Sequence, residues 1–109
     1  MKKLEIIIRP EKLDELKEIL NSCNAHGLMI SNIMGYGLQK GHKQAYNGVD
    51  FGGNLLPKVK VETIVTDDVS EHIIDLVIDN INTGTYGDGK IFVYDVEDVV
   101  KVRTGESGY

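Results

Sequence analysis

Thr83-Gly84-Thr85-Tyr86-Gly87-Asp88-Gly89-Lys90-Ile91-Phe92-Val93 is the stretch on which the reading of this chain turns. Glycines at 84, 87 and 89 permit positive φ and close approach of the backbone to a ligand. A turn of that kind aims several N–H groups into one concavity. Lys90 adds an ammonium at the rim, and Asp88 offers its carboxylate either to a ligand hydroxyl or to the turn itself. On local chemistry alone the stretch is either an anion seat or a tight turn that delivers the chain into a strand over 90–94.

Working outward, Val69, Ile73, Leu76, Val77 and Ile81 recur at helical spacing and predict an amphipathic helix ending near Asn82. Thr66 to Asp68 supply capping oxygens for its start, and Asp68 with Glu71 resembles a capping box. Ahead of it Lys58-Val59-Lys60-Val61-Glu62 alternates as a strand with its valines inward, Pro57 closing the segment before. The unit is therefore strand, helix, turn, strand.

The first third of the chain repeats that unit. Leu4, Ile6 and Ile8 mark one face of a strand that Arg9-Pro10 stops, and Ile7 suggests a partly covered second face. Leu13, Leu16, Ile19, Leu20 and Cys23 predict a helix from about Glu11 to Asn24 that buries Cys23 as an inert thiol. Leu28 to Met34 reads as a second strand, released by Gly35-Tyr36-Gly37. From Gly37 to about Asn54 no periodicity survives, and a loop of that length between two strong strands is expected to be functional. Beyond the last strand, Asp95 to Val99 predicts a short helical turn, Val100 to Arg103 an extended segment, and 104–109 a polar tail.

The order β-α-β, long loop, β-α-β is the α+β, ferredoxin-like split-βαβ plan, βαββαβ, in one domain over 1–109. Right-handed crossovers place the first and third strands in the centre and both helices on one face. The other sheet face is left bare, which predicts a symmetric oligomer.

Bulk properties restrict the partners. With 109 residues the chain suffices for one modest core, and a net charge of −5 speaks against general binding to nucleic acid or anionic membranes, so a phosphate site must be local. No apolar run is long enough to span a membrane, and no apolar segment follows Met1-Lys2-Lys3 beyond the short Leu4 to Ile8, which makes the cytoplasm the expected compartment. One cysteine forms no internal disulfide, and His26, His42 and His72 lack partners at metal-ligand spacing.

Against that background the chain resembles the PII signal-transduction family over nearly its whole length. The residues that carry the resemblance are Lys3 to Lys12, Gly35-Tyr36-Gly37-Leu38-Gln39-Lys40-Gly41-His42, Leu56-Pro57-Lys58-Val59-Lys60, Thr83 to Val96, and Val102-Arg103-Thr104-Gly105-Glu106. The resemblance implies a homotrimer in which ATP and ADP compete for clefts between subunits and the long loop, about 37–54, reports the outcome to a partner. Gly35, Gly37, Leu38, Gln39, Gly87, Asp88, Gly89, Lys90, Lys101 and Arg103 occupy the positions of the nucleotide site, the turn being 83–90 and the C-terminal contribution coming from 101–109. Gln39 and Lys58 match positions that, in 2-oxoglutarate-sensing members, ligate the magnesium held with ATP and pair with the oxoacid.

Departures from the family pattern shape the functional expectation. Leu38 stands where many members have an arginine reaching the terminal phosphate, and Lys101 where they have another. Losing planar forks there should narrow the preference for ATP over ADP. Phe51 has no hydroxyl at the uridylylated position and Val49 none at the phosphorylated one, so switching is expected by ligand alone, Tyr46 being the loop's remaining tyrosine. Lys40, Tyr46 and Phe51 lie in the loop expected to meet the partner: an ammonium or ABC-type transporter, which would recruit the protein to the membrane without insertion, or a cytosolic metabolic enzyme. Two alternatives stay open: a sensor of the same family without a 2-oxoglutarate response, and a small acylphosphate or phosphate-ester hydrolase on the same βαββαβ plan. No nucleophile and base pair emerges for the latter.

Overall fold

The computed structural model describes residues 1–25, 27–37, 45–46, 49–50 and 54–109. Leu38, Gln39, Lys40 and Phe51, expected in the ligand site or the loop, lie outside the described residues, as do His26 and His42.

Alternation of apolar side chains builds the sheet. In β1 (Lys2–Ile8) Leu4, Ile6 and Ile8 are buried while Lys3, Glu5 and Ile7 are only partly covered. β5 (Asn54–Val65) behaves alike, burying Val59, Val61, Thr63 and Val65 on the same side. With β2 (Met29–Gly37) and β6 (Gly89–Asp95) they form an antiparallel sheet in the order β2-β5-β1-β6, so the first and third main strands are central as expected. Within the long loop, β3 (Ala45–Tyr46) pairs with β4 (Val49–Asp50) as a two-residue ribbon.

The two helices cover one face and touch each other. α1 (Leu13–Ser22) docks through Leu16 and Leu20, and α2 (Asp67–Ile81) through Ile73, Val77 and Ile81. Each such aliphatic side chain, taken fully out of water, contributes roughly 1.5–3 kcal/mol. That suffices to hold helices of ten and fifteen residues, lengths marginal in isolation.

Several boundaries differ from expectation. The first helix begins as a 3-10 turn over Pro10–Lys12, and Cys23, at its end, is half-buried on the flank of the core rather than inside it. β2 continues through Gly35 to Gly37, and β5 starts three residues before Pro57. Thr66 caps α2, but without a side-chain cap bond, so Asp68 and Glu71 do not form the expected box. The segment 96–99 is not helical, and 100–103 is not a strand: Val100 makes a single bridge to Ser107 and a turn follows it.

Opposite the helices the sheet is open to solvent. Lys3, Glu5, Lys60 and Glu62 stand there among Ile7, Ile64, Phe92 and Tyr94. Glu62 receives Lys60 at 3.4 Å and Lys3 at 3.8 Å, and Lys3 also lies 5.3 Å from the centre of the Tyr94 ring.

Candidate functional site

The turn between α2 and β6 lies where β1 ends, because Gly89 pairs with Ile8. Gly89 has a φ of 118°, and a Cβ on it would stand 1.8 Å from the Ile7 carbonyl oxygen. Conformation and space therefore both require glycine here. Gly84 and Gly87, with φ of 78° and 94°, fold the rest of the turn.

Asp88 closes that turn from within. Its carboxylate accepts the hydroxyl of Thr83 and the amides of Thr83 at 2.8 Å and Gly84 at 3.0 Å. These bonds, the Thr83 hydroxyl foremost, hold the Asp88 carboxyl below the ordinary aspartate range. Of the two roles open to Asp88, holding the turn is the one the geometry displays.

Two cations grip the turn from the sheet. Arg9, just past β1, donates from Nε to the Gly87 carbonyl at 3.1 Å and from Nη2 to the Tyr86 carbonyl at 2.7 Å and to Thr85 Oγ1 at 2.9 Å. It also stands 3.9 Å from Asp88 Oδ1. Lys58, on β5, donates to the same Gly87 carbonyl. Gly35 makes room for it, since a Cβ there would lie 3.2 Å from Lys58 Cγ. Burial, and then the neighbouring Arg9, push the Lys58 ammonium below the ordinary lysine value.

Gly35, Lys58, Gly87, Asp88 and Gly89 are thus brought to one end of the sheet, with Lys90 exposed on β6 opposite Ile7. Lys101 and Arg103 are not joined to them within one chain. They sit exposed on a C-terminal hairpin in which the Lys101 amide donates to Glu106 and the Gly105 amide to Lys101, and no hydrogen bond or ion pair among the described residues links either side chain to the turn. Gly37 ends β2 opposite Asn54, at the base of the long loop, and of Tyr46 only the backbone is described.

Arg9 lies outside the set of residues expected from the sequence, where it serves only to stop the first strand. Its signal was topological. With β1 antiparallel to β6, the residue after Ile8 must fall beside the residues before Gly89.

Chemically the arrangement suits an anion. The amides of Thr83 and Gly84 are already used by Asp88 and that of Asp88 turns back on the Thr85 carbonyl, whereas those of Thr85 to Gly87 have no acceptor among the described residues. Unpaired amides in a glycine turn, with lysine and arginine side chains around them, match the donor set that phosphate oxygens take. Among the described residues no group of three His, Cys, Asp or Glu side chains could hold a metal ion, and no helix is long and apolar enough to cross a membrane.

Comparison with known proteins bears on the same residues. Residues 1–106 match the family model "Nitrogen regulatory protein P-II". The chain is similar to proteins of that name from Pasteurella multocida, 46% identical over 97% of this chain and 95% of the relative, and from Rhizobium meliloti, 46% identical over 99% and 96%. It is likewise similar to "Nitrogen regulatory protein P-II 1" of Escherichia coli K12, 44% identical over 97% and 95%. With the α+β sheet order and 44–46% identity over nearly the whole length in agreement, the chain belongs to the nitrogen regulatory P-II family of signal-transduction proteins.

Proposed function

We propose that this chain is a non-enzymatic adenine-nucleotide sensor. It acts in the cytoplasm as a homotrimer whose nucleotide sites lie between subunits. The observation that carries the reading is the braced turn: Asp88 and Arg9 fix a glycine loop whose amides at 85–87 have no acceptor among the described residues, with Lys90 following Gly89. A di- or triphosphate satisfies those donors. Arg103 and Lys101, exposed on their hairpin and without an ion pair among the described residues, are the cations a neighbouring subunit would add. Magnesium would be held chiefly by the nucleotide's own phosphates, the usual mode for that ion.

Leu38 and Lys101 replace planar forks with an apolar chain and a point charge, so the extra phosphate of ATP gains little over ADP. Titration calorimetry tests both parts. Lys90→Ala and Arg103→Ala should each weaken ATP and ADP binding about tenfold or more. Unchanged binding in both would refute the site, and ATP binding more than tenfold tighter than ADP to the native chain would refute the narrowed preference.

A second ligand is favoured by one feature. Lys58 and Arg9 converge on a single carbonyl oxygen, Gly87 O, and burial together with Arg9 disfavours the Lys58 charge, so a carboxylate between them would be stabilised. This supports 2-oxoglutarate, with Gln39 and nucleotide-bound magnesium completing its site. Calorimetry with the oxoacid, magnesium and ATP should show binding that Lys58→Met abolishes. The loop 37–54 would carry the ligand state to a transporter or metabolic enzyme without uridylylation, since position 51 is Phe51. A pull-down from membrane and soluble fractions, run with ADP and with ATP, should capture a partner in one nucleotide state only.

A further inference from the structure

We infer that Arg9 is a positioning residue for the nucleotide turn: by gripping the carbonyls of Tyr86 and Gly87, it fixes both peptide planes and aims the Gly87 amide at the ligand. This rests on the nucleotide reading above and assigns that site a residue outside the expected set.

The argument follows from peptide geometry. In a planar trans peptide the C=O and the following N–H point in opposite directions, and no cis bond occurs in the turn. The Tyr86 carbonyl shares its plane with the Gly87 amide, and the Gly87 carbonyl shares its plane with the Asp88 amide. Arg9 takes both carbonyls, at 2.7 and 3.1 Å, so both amides face away from the guanidinium, that of Gly87 out of the turn and that of Asp88 back towards Thr85. Without that grip, glycine at 87 would let those planes rotate at small cost.

The fork itself is needed. Nε and Nη2 reach two successive carbonyls at once, and Nη2 also reaches Thr85 Oγ1 at 2.9 Å. A lysine ammonium is a point charge on a flexible stem and has no such fixed pair of donors. Among the described residues, Lys58 donates to the Gly87 carbonyl alone, and Asp88 secures only the Thr83 and Gly84 amides at the other end. Among the described residues, Arg9 is therefore the one side chain that fixes the peptide plane between Tyr86 and Gly87.

The test compares Arg9→Lys and Arg9→Gln with the native protein. In the free protein, ¹⁵N relaxation should show the Gly87 and Asp88 amides becoming mobile in both variants, order parameters falling below about 0.6 while those of β1 keep their rigid values. By calorimetry, ATP and ADP should lose affinity by the same factor, about tenfold, in both variants, because the aim is lost whether or not charge is kept. Native-like binding by Arg9→Lys would reduce Arg9 to a charge and overturn the inference. Unchanged turn mobility in Arg9→Gln would overturn it as well, and a loss confined to ATP would make Arg9 a direct ligand of the terminal phosphate instead. Should the native chain bind neither nucleotide, the sensor reading fails, while the relaxation data on free protein still decide what Arg9 does.

Discussion

At the scale of single residues, the side chain least at ease is Thr63. It is 2% exposed in the centre of the core, opposite Leu4, and its hydroxyl has no partner among the described residues. An unsatisfied buried hydroxyl costs about 1–3 kcal/mol. Thr63→Val keeps the branched shape and removes the hydroxyl, so it should raise the unfolding free energy by about 1 kcal/mol, read as a higher urea midpoint at an unchanged m-value. A lowered midpoint would mean the hydroxyl has a partner after all. Gly89→Ala should move stability the other way by roughly 3 kcal/mol or more, since its methyl meets the Ile7 carbonyl. Asp88 yields a pH prediction. Its folded carboxyl is depressed, so its hold on the turn is complete above the unfolded aspartate value, near 3.9, and is lost as pH falls through the lower folded value. The Thr83 and Gly84 amide resonances should therefore stay constant down to about pH 4 and shift only below it. In Asp88→Asn that acid transition should be absent.

Elements were legible in the sequence wherever one face met the core, and illegible where it did not. Leu4, Ile6 and Ile8 fix β1, and Leu16, Leu20, Ile73, Val77 and Ile81 fix the helices, because burial imposes a period on the residues it selects. Pro57 was misleading for a physical reason. At that point β5 pairs only with β2, since its ladder with β1 begins at Val59, so one side of the strand needs no donor and proline costs nothing there. Val100-Lys101-Val102-Arg103 alternates like a strand, yet finds only the Val100 to Ser107 bridge, and Gly105 and Gly108, both at positive φ, fold it back. The site was legible in its glycines and lysines but not in Arg9, whose role depends on a neighbour almost eighty residues away in the chain. At the start of α2, three polar residues in a row conceal which one works. The Asp68 carboxyl is held low by the Thr66 hydroxyl and by the amides of Asp68 and Val69. Asp68→Ala should lower Tm by a few degrees, and Glu71→Ala should leave it unchanged to within about a degree. The reverse order would restore the pair as a capping box.

For the whole molecule, charge and apolar surface are divided between two sides. α2 carries Asp67, Asp68, Glu71, Asp75 and Asp79 and neither lysine nor arginine, whereas the open sheet face carries Lys3, Lys58, Lys60 and Lys90 against Glu5 and Glu62, with Phe92 and Tyr94 each more than 40% exposed. A face that leaves such aromatic side chains exposed among its charges is one that association covers. If association also completes the nucleotide site, Lys90 belongs to one subunit and Arg103 to its neighbour, and this separation is open to a complementation test. Chains carrying Lys90→Ala alone, or Arg103→Ala alone, should each form assemblies that bind ATP weakly at every cleft. When the two are unfolded, mixed in equal amounts and refolded together, a cleft regains both cations whenever an Arg103→Ala chain supplies the turn and a Lys90→Ala chain supplies the hairpin. Random assembly gives that arrangement in about one cleft in four. Calorimetry of the mixture should then show a tight class of sites near that fraction with the native Kd. If Lys90 and Arg103 met within one chain, every cleft would lack one of them, and mixing would restore no tight sites at all.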